Sequence, residues 1–567
     1  MGALGGLGAR TVVGVAVAVL VAACAAGDGS PDDSGGAGEV ARRGGRVTLA
    51  VERLLAPGWS PSASPCDHSC ELVVAAVVDP LAVLDEHGEP VPHLVASIEP
   101  VLEVADEAVP FGSWDLTLRP EPITFSDGTL LDVGAIAANL LAHREGASSA
   151  GGTPLHSVEV VAPTTLRVHL STPDGPPGSL AWVEFPAALT GPLGWIVHPD
   201  DLDGPDDRIP RGTGPFVAVE ASSTSLRLDR REGHWRAGTD GAPLPVLDGI
   251  DVEVSPSEAV RRRRVEIGDL DLGLASDPLG RRELLDEPPP TLAPGPVDGL
   301  LVGPASDVLA LVVNGAAERT NGETNPWASA ERRLALAACL DVDRLVETLP
   351  WSAVPATGLF SPGVPGHVAE RIEAPADPEG GALLADEVGS LRIVTGPQDG
   401  ADELAADVAR QLEAGCGLVV DAVGLGSLEV EQAVERGEFD LLLELLEGGP
   451  DPDSQFARWS SDSVEAPDDA GANIGRVVDE RVDDALELIR TVPDPAVRTA
   501  AAVELNRALT ASAHAIWLTW LAPAIAVSDQ VTGLGADATA DGASLRHPTF
   551  GALSLATAAR ISPDPPP

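Results

Sequence analysis

Two spacings of hydrophobic positions run through the chain, and each change from one to the other marks an element. Residues 47–51 form a short apolar run that predicts a strand. Residues 71–84 are a long apolar stretch that ends in a turn signal at 85–88. Over 114–118, Trp114, Leu116 and Leu118 share one face while Asp115 and Thr117 share the other, as in a half-buried strand. Residues 134–143 place Ile136, Leu140 and Leu141 on one side of a predicted helix. The runs 158–161 and 166–170 flank Pro163-Thr164-Thr165 and predict a hairpin. Further strands fall at 226–228 and 250–254. The arginine run 261–264 sits in a predicted helix, where it reads as a solvated face.

The clearest pattern covers residues 391–446. Strands at 391–394, 418–423 and 440–446 alternate with helices at 401–414 and 427–436. Leu404, Val408 and Leu412 recur four apart in the first helix, and Ser427 and Gly437 read as the start and stop of the second. Apolar strands linked by helices imply a parallel sheet covered on both faces. Asp494-Pro495 then reads as an N-cap with proline in the first turn, opening a helix to about residue 513. The fold class is α/β, in at least two lobes.

The amino terminus sets the compartment. Residues 11–23 are apolar, with Arg10 the only charge before them. As a helix such a run rises only ~20 Å, short of a ~30 Å hydrocarbon core, so it reads as a secretory signal. It ends in Leu20-Val21-Ala22-Ala23-Cys24, which resembles a bacterial lipobox with Cys24 as the lipidated first residue of the mature protein. Residues 25–45 are rich in Gly, Ser and Asp and predict a flexible tether. Of the other cysteines, Cys66 and Cys70 are close enough in sequence for a local disulfide. A metal site from Cys66, His68 and Cys70 lacks a fourth ligand nearby in sequence. Cys339 and Cys416 are either a bridge or two buried thiols.

Composition removes several function classes. With 36 basic residues, all Arg, against 87 acidic ones, the net charge is −51, which argues against nucleic acid and against adsorption to anionic lipid. The 567 residues exceed what one core needs, and 44% are apolar, so wholesale disorder is excluded. No Gly-x-Ser-x-Gly or His-Glu-x-x-His occurs, and a phosphate loop is excluded by the lack of Lys. The Gly212-Thr213-Gly214-Pro215 segment lacks the third glycine of a dinucleotide loop. No residue pattern supports an enzyme, a metal site or a cofactor.

Several segments, in order, resemble the family 5 extracellular solute-binding proteins of ABC importers, the dipeptide, oligopeptide and nickel receptor group. They are Val78-Asp79-Pro80-Leu81, Val91-Pro92-His93-Leu94 and Trp114-Asp115-Leu116-Thr117-Leu118-Arg119, then Ile123-Thr124-Phe125-Ser126-Asp127-Gly128. Gly212-Thr213-Gly214-Pro215-Phe216, His234-Trp235, Glu266-Ile267-Gly268-Asp269, Val313-Asn314 and Cys339-Leu340-Asp341 follow. Phe439-Asp440 and Pro450-Asp451-Pro452-Asp453 complete the series, which spans about residues 46–525.

The resemblance implies a two-lobe periplasmic-binding-protein-like fold with an extra subdomain inserted in lobe one. Its expected organisation is a signal peptide at 1–23, a lipidated Cys and tether at 24–45, and lobe one at 46–305. Lobe two follows at 306–522, a return to lobe one at 523–558, and a disordered tail at 559–567. Crossings between lobes are expected near 311–314 and 516–523. It also implies a membrane-anchored monomer on the outer face of the cytoplasmic membrane, passing a small solute, oligopeptides among the candidates, to an ABC permease and its ATPase. The alternative is a surface sensor or interaction protein of the same fold with a degenerate cleft.

Family peptide binders hold a ligand ammonium with an Asp just before the Asp-Pro segment, and Glu447 is the nearest acid here. Asp451, Asp453 and Trp459 lie at or just after the carboxyl end of strand 440–446, where ligands of open α/β sheets bind. Trp59, at the start of the first long loop, is the lobe-one candidate, and Trp459, Trp517 and Trp520 stand in for the tyrosines this chain lacks.

Overall fold

The computed structural model describes residues 40–562, apart from short stretches at 56–58, 63–65, 104–107, 146–152, 173–174, 205–208, 279–298, 304–306, 320, 350–354, 372–383, 398–399, 450, 465–471, 536 and 539–543. Cys24 and its flanking leader lie outside the described residues.

One mixed, 11-stranded sheet runs through the molecule. From one edge, its path is Val419–Gly424, Ser390–Thr395, Leu441–Leu446, Asp307–Val313, Ala515–Val527, Leu272–Pro278, Arg46–Val51, Gly249–Val254, Ser225–Arg230 and Phe216–Ala221. Ala515–Val527 is the shared spine, and all 13 of its residues are buried. Its first half pairs with Asp307–Val313, and its second half with Leu272–Pro278 and Leu300–Val302. Pairing therefore changes from one lobe to the other between Val302 and Asp307. The expected crossing at 311–314 instead falls largely inside a second-lobe strand, because the apolar run there is needed in the sheet interior.

Each lobe wraps its own core. Leu49, Leu72, Ile250 and Ile525 meet in the first lobe. The second lobe has one core on each sheet face, with Trp517, Leu486 and Leu505 on one side and Leu311, Ile393 and Leu404 on the other. A separate four-stranded sheet of Val95–Pro100, Ser113–Leu118, Thr165–Leu170 and Leu155–Ala162 encloses Trp114, Leu116, Ile136 and Phe185, forming the inserted subdomain. Helix Ala401–Cys416 buries Leu404, Val408 and Leu412 and stops at Gly417, whose φ of 66° suits glycine. Asp494 caps helix Pro495–Ala511 by accepting from the Ala496 amide at 2.9 Å.

The family-like motifs meet as scaffold. Gly212 and Gly214 pass so close to Val77 that a Cβ on Gly212 would stand 2.0 Å from the Val77 carbonyl oxygen. Thr213 Oγ1 donates to Asp79 at 3.1 Å, and the Ser126 amide donates to the Gly212 carbonyl at 3.0 Å. The sequence signal is therefore strongest where backbones interlock.

Four expectations are corrected. Arg261 is only 3% exposed and donates from Nε to the Leu274 carbonyl at 2.7 Å, so the arginine run is not wholly a solvated face. Val419–Gly424 is an edge strand, with Val419 68% exposed, and is not covered on both faces. Gly426 is the N-cap of helix Ser427–Glu435. Ala559–Ser562 pairs with Val40–Arg42 and Val531–Thr532, so strand structure reaches into both the expected tether and the expected tail.

Candidate functional site

Where the lobes face each other, the first turn of helix His68–Val77 meets the start of strand Asp307–Val313 and the end of strand Leu441–Leu446. Cys66 and Cys70 are bonded, with Cα atoms 5.2 Å apart, and His68 lies inside the small loop they close. Both thiols are thereby occupied and offer no metal ligand. Asp67 Oδ1 accepts from the Cys70 amide at 2.9 Å and caps the helix. Cys339 and Cys416 are also bonded, which resolves their two open readings in favour of a bridge.

These constraints hold His68 between three carboxylates. Its Nδ1 is 3.2 Å from Glu71 Oε2 and its Nε2 is 2.8 Å from Asp307 Oδ2. The Asp307 side chain is 3% exposed, and its Oδ1 also accepts from the Gly448 amide at 3.1 Å. Because Val308 pairs with Leu446, Asp307 stands beside Glu447, which leaves the strand end next in sequence. Burial by itself would lower the His68 pKa. Asp307, Glu71 and Glu447 outweigh it and hold that pKa well above the usual histidine value.

Glu447 is half-buried, and its carboxyl is pushed up to about 7. Burial is the main cause; protonated His68 and Arg458 oppose it, while Asp307 and Glu71 add to it. Glu444, earlier on the same strand, is likewise raised to about 7 by burial, against the fields of Arg458 and Arg53. The result is a partly dehydrated patch contributed by both lobes, in which Glu71, Asp307, Glu444 and Glu447 are met by the cations His68, Arg458 and Arg53.

Asp451 and Asp453 lie at a second lobe-to-lobe contact. Trp182 and Glu184, from the inserted subdomain, reach them and two second-lobe helices. Trp182 Nε1 donates to Asp453 Oδ2 at 2.7 Å, and Arg490 Nε donates to Asp453 Oδ1 at 2.9 Å. The Arg490 guanidinium also covers the Trp182 ring, 4.9 Å from its centre, and its carbonyl accepts from the Val183 amide at 2.9 Å. Arg498 pairs with Glu184 and lies 3.8 Å from Asp451. Burial first, then Glu184 and Asp453, push the Asp451 carboxyl up to about 7. Asp453, 7% exposed, thus ties the lobes together and is committed to protein groups.

The four expected tryptophans, Trp59, Trp459, Trp517 and Trp520, are all buried. Trp459 is 1% exposed in the second-lobe core, its ring centre 6.0 Å from that of Trp517 and its Nε1 3.3 Å from Gln455 Oε1. Trp59 is 4% exposed and packs in the first-lobe core, 6.2 Å from Trp195. With so few other aromatics to fill these interiors, the indoles serve packing. His68, Glu71, Asp307, Trp182, Arg490 and Arg498 are the site residues missed from sequence. Two carried a signal: His68 sits between paired cysteines, and Asp307 is the one charge opening an apolar strand.

Two lobes on a shared sheet, an inserted subdomain and charged groups meeting at the lobe junction define the architecture of a two-lobe periplasmic binding protein. The family described as "Bacterial extracellular solute-binding proteins, family 5 Middle" matches residues 89–466, and the chain belongs to that family. No curated protein sequence matches it. Among solved structures it is similar to AgaA of A. tumefacien R10 in complex with agropinic acid, with 18% identity, a TM-score of 0.67, and coverage of 91% of this chain and 99% of that one. AppA, the oligopeptide-binding protein of Bacillus subtilis, solved with a nonapeptide, has 16% identity and a TM-score of 0.67, covering 92% and 100%. NikZ of Campylobacter jejuni, in complex with Ni(L-His), has 17% identity and a TM-score of 0.63, covering 86% and 95%.

Proposed function

We propose that the protein is the lipid-anchored, substrate-binding subunit of an ABC importer and captures a small cationic solute, or the cationic group of a peptide-like one, between its lobes. The observation carrying this reading is the placement of Glu71, Asp307 and Glu447 around the lobe junction, with Glu447 raised to about 7. A bound ammonium or guanidinium would pair with the ionised Glu447 and lower its pKa, so binding would release a proton near neutrality. Because the acids come from both lobes, the closed form makes more contacts with the solute than the open form, and this difference drives closure. Asp451 would take part as a second raised carboxyl close to Arg498 and Glu184.

On this reading Cys24 carries the lipid, and the mature monomer works at the outer face of the membrane beside a permease and ATPase. The relevant lobe assignment is 46–305 with 523–558 against 306–522. Native mass spectrometry of the gently purified mature chain tests the proposal. A co-purifying cationic solute, lost in Glu447→Gln, is expected, and an anionic solute retained by that variant would count against it.

A second reading rests on a different observation. His68 with Asp307, and Trp182 with Asp453, join the lobes through the chain's own side chains. A protein closed in this way would serve as a surface sensor or interaction module with no transported solute. It would show no ligand-dependent change in melting temperature.

A further inference from the structure

A cavity of about 90 Å³ lies within the first lobe, between the end of helix His68–Val77 and the carboxyl-terminal segment 545–556. At ~10–15 Å³ per water on this scale, it has room for roughly six waters or an organic molecule of similar size. Its position and lining differ from those of the acidic cluster at the lobe junction.

Most of its polar lining is already satisfied. Asp79 accepts from Trp235 Nε1 at 2.9 Å and Thr213 Oγ1 at 3.1 Å, with His93 Nε2 at 3.4 Å. Asp537 accepts from Arg236 Nη1 at 2.9 Å and Ser554 Oγ at 2.8 Å. Arg546 is different. Arg546 is 6% exposed, and its Nε and Nη1 have no acceptor among the described residues. Its backbone is fixed by exchange with Leu84, at 2.8 Å for its amide and 3.2 Å for its carbonyl. The His234 side chain is 1% exposed; its Nε2 lies 3.8 Å from Asp79 Oδ2, beyond hydrogen-bond distance but close enough for a charge contact. Glu86 is the acid whose field reaches Arg546, but Glu86 Oε2 accepts from the Ser544 amide at 3.1 Å.

A buried guanidinium without a paired anion is costly, and a carboxylate is its natural complement in shape and charge. Val78, Val83, Leu545 and Leu553 make much of the remaining wall apolar, which suits a hydrocarbon body better than a fully hydrated inorganic anion. We propose that this cavity is a second ligand site, for a short-chain organic carboxylate held through Arg546.

Butyrate is a suitable probe, titrated calorimetrically into the full mature chain, with phosphate in parallel. Saturable butyrate binding is expected, weakened about tenfold or more in Arg546→Gln and unchanged in Glu447→Gln, which separates this site from the lobe junction. Absence of saturation at tens of millimolar, or unchanged binding in a folded Arg546→Gln, would overturn the site. Phosphate binding as tightly as butyrate would overturn the organic assignment. If Arg546→Gln does not fold, Leu553→Trp fills the cavity instead; lost butyrate binding supports the proposal and retained binding contradicts it.

Discussion

His68 Nε2 lies 2.8 Å from Asp307 Oδ2, and this single contact joins a first-lobe helix to the opening residue of a second-lobe strand. Asp307 is nearly fully buried, and its two carboxylate oxygens are taken up by that imidazole and by the Gly448 amide. Removing one partner of a buried pair leaves the other desolvated and unpaired, at a cost of ~3–5 kcal/mol. His68→Ala is therefore expected to lower stability by about that amount in urea unfolding and to increase the radius of gyration seen by small-angle scattering. A small loss with no change in size would show that the contact does not hold the lobes.

Raised groups shape the pH dependence, His68, Glu447 and Asp451 among them, with Glu444 raised to about 7 as well. His68 has a folded pKa above its unfolded value, so its contribution is complete below about 6.5 and is lost as pH rises through the folded value. Glu447 and Asp451 are each raised to about 7, so the folded state holds their protons more tightly than the unfolded state. Stability therefore falls as pH rises from the ordinary carboxylate range to 7. All of these effects have the same sign across pH 5 to 8. These groups lower the melting temperature over that interval, against the opposite contribution of the buried His143 and His547, both lowered to about 4. Glu447→Gln with Asp451→Asn should make the net slope with pH less negative. An unchanged slope in the double variant would remove these two groups as its source.

Asp453 carries a different load. It accepts from Trp182 and Arg490 across the second contact, so Asp453→Asn weakens both bonds and leaves the Arg490 charge buried. The expected cost is ~3–5 kcal/mol, read as a shift in denaturant midpoint. Trp459→Ala, by contrast, should destabilise by ~3–5 kcal/mol through a cavity in the second-lobe core, while ligand affinity per folded molecule stays unchanged.

The Cys66–Cys70 bridge closes a loop with a sequence separation of 4, for which chain entropy gives about 2 kcal/mol. Cys66→Ser with Cys70→Ser should lose about this much and loosen His68, so the scattering radius should move toward that of His68→Ala. Peptide mapping without reductant that finds both thiols alkylated in the parent chain would contradict the bridge.

Strands and helices were legible wherever periodicity was strong, as in residues 391–446, where local apolar spacing alone sets the elements. The sharing of Ala515–Val527 between lobes was not legible in full. A uniformly apolar run of 13 residues carries no mark of which half pairs with which partner. Glu447 was reachable because it follows an apolar strand near a family-like Asp-Pro segment. Its neighbours His68, Glu71 and Asp307 were not, since Asp307 is 239 residues from His68 in sequence and the group meets Glu447 only through the fold. The tryptophans misled for a physical reason: a large indole fits a core and a cleft equally well, and burial is decided by tertiary packing.

The central claim is that the acidic lobe junction recognises a cationic group. The most direct measurement is thermal unfolding of the mature chain, with and without Glu447→Gln, against a panel of amino acids and tripeptides. The panel includes each tripeptide with a free and with an acetylated amino terminus. At least one free-amine member should raise the melting temperature of the parent chain, its acetylated partner should not, and Glu447→Gln should abolish the difference. Equal shifts for free and acetylated partners, or a shift that survives Glu447→Gln, would contradict the claim.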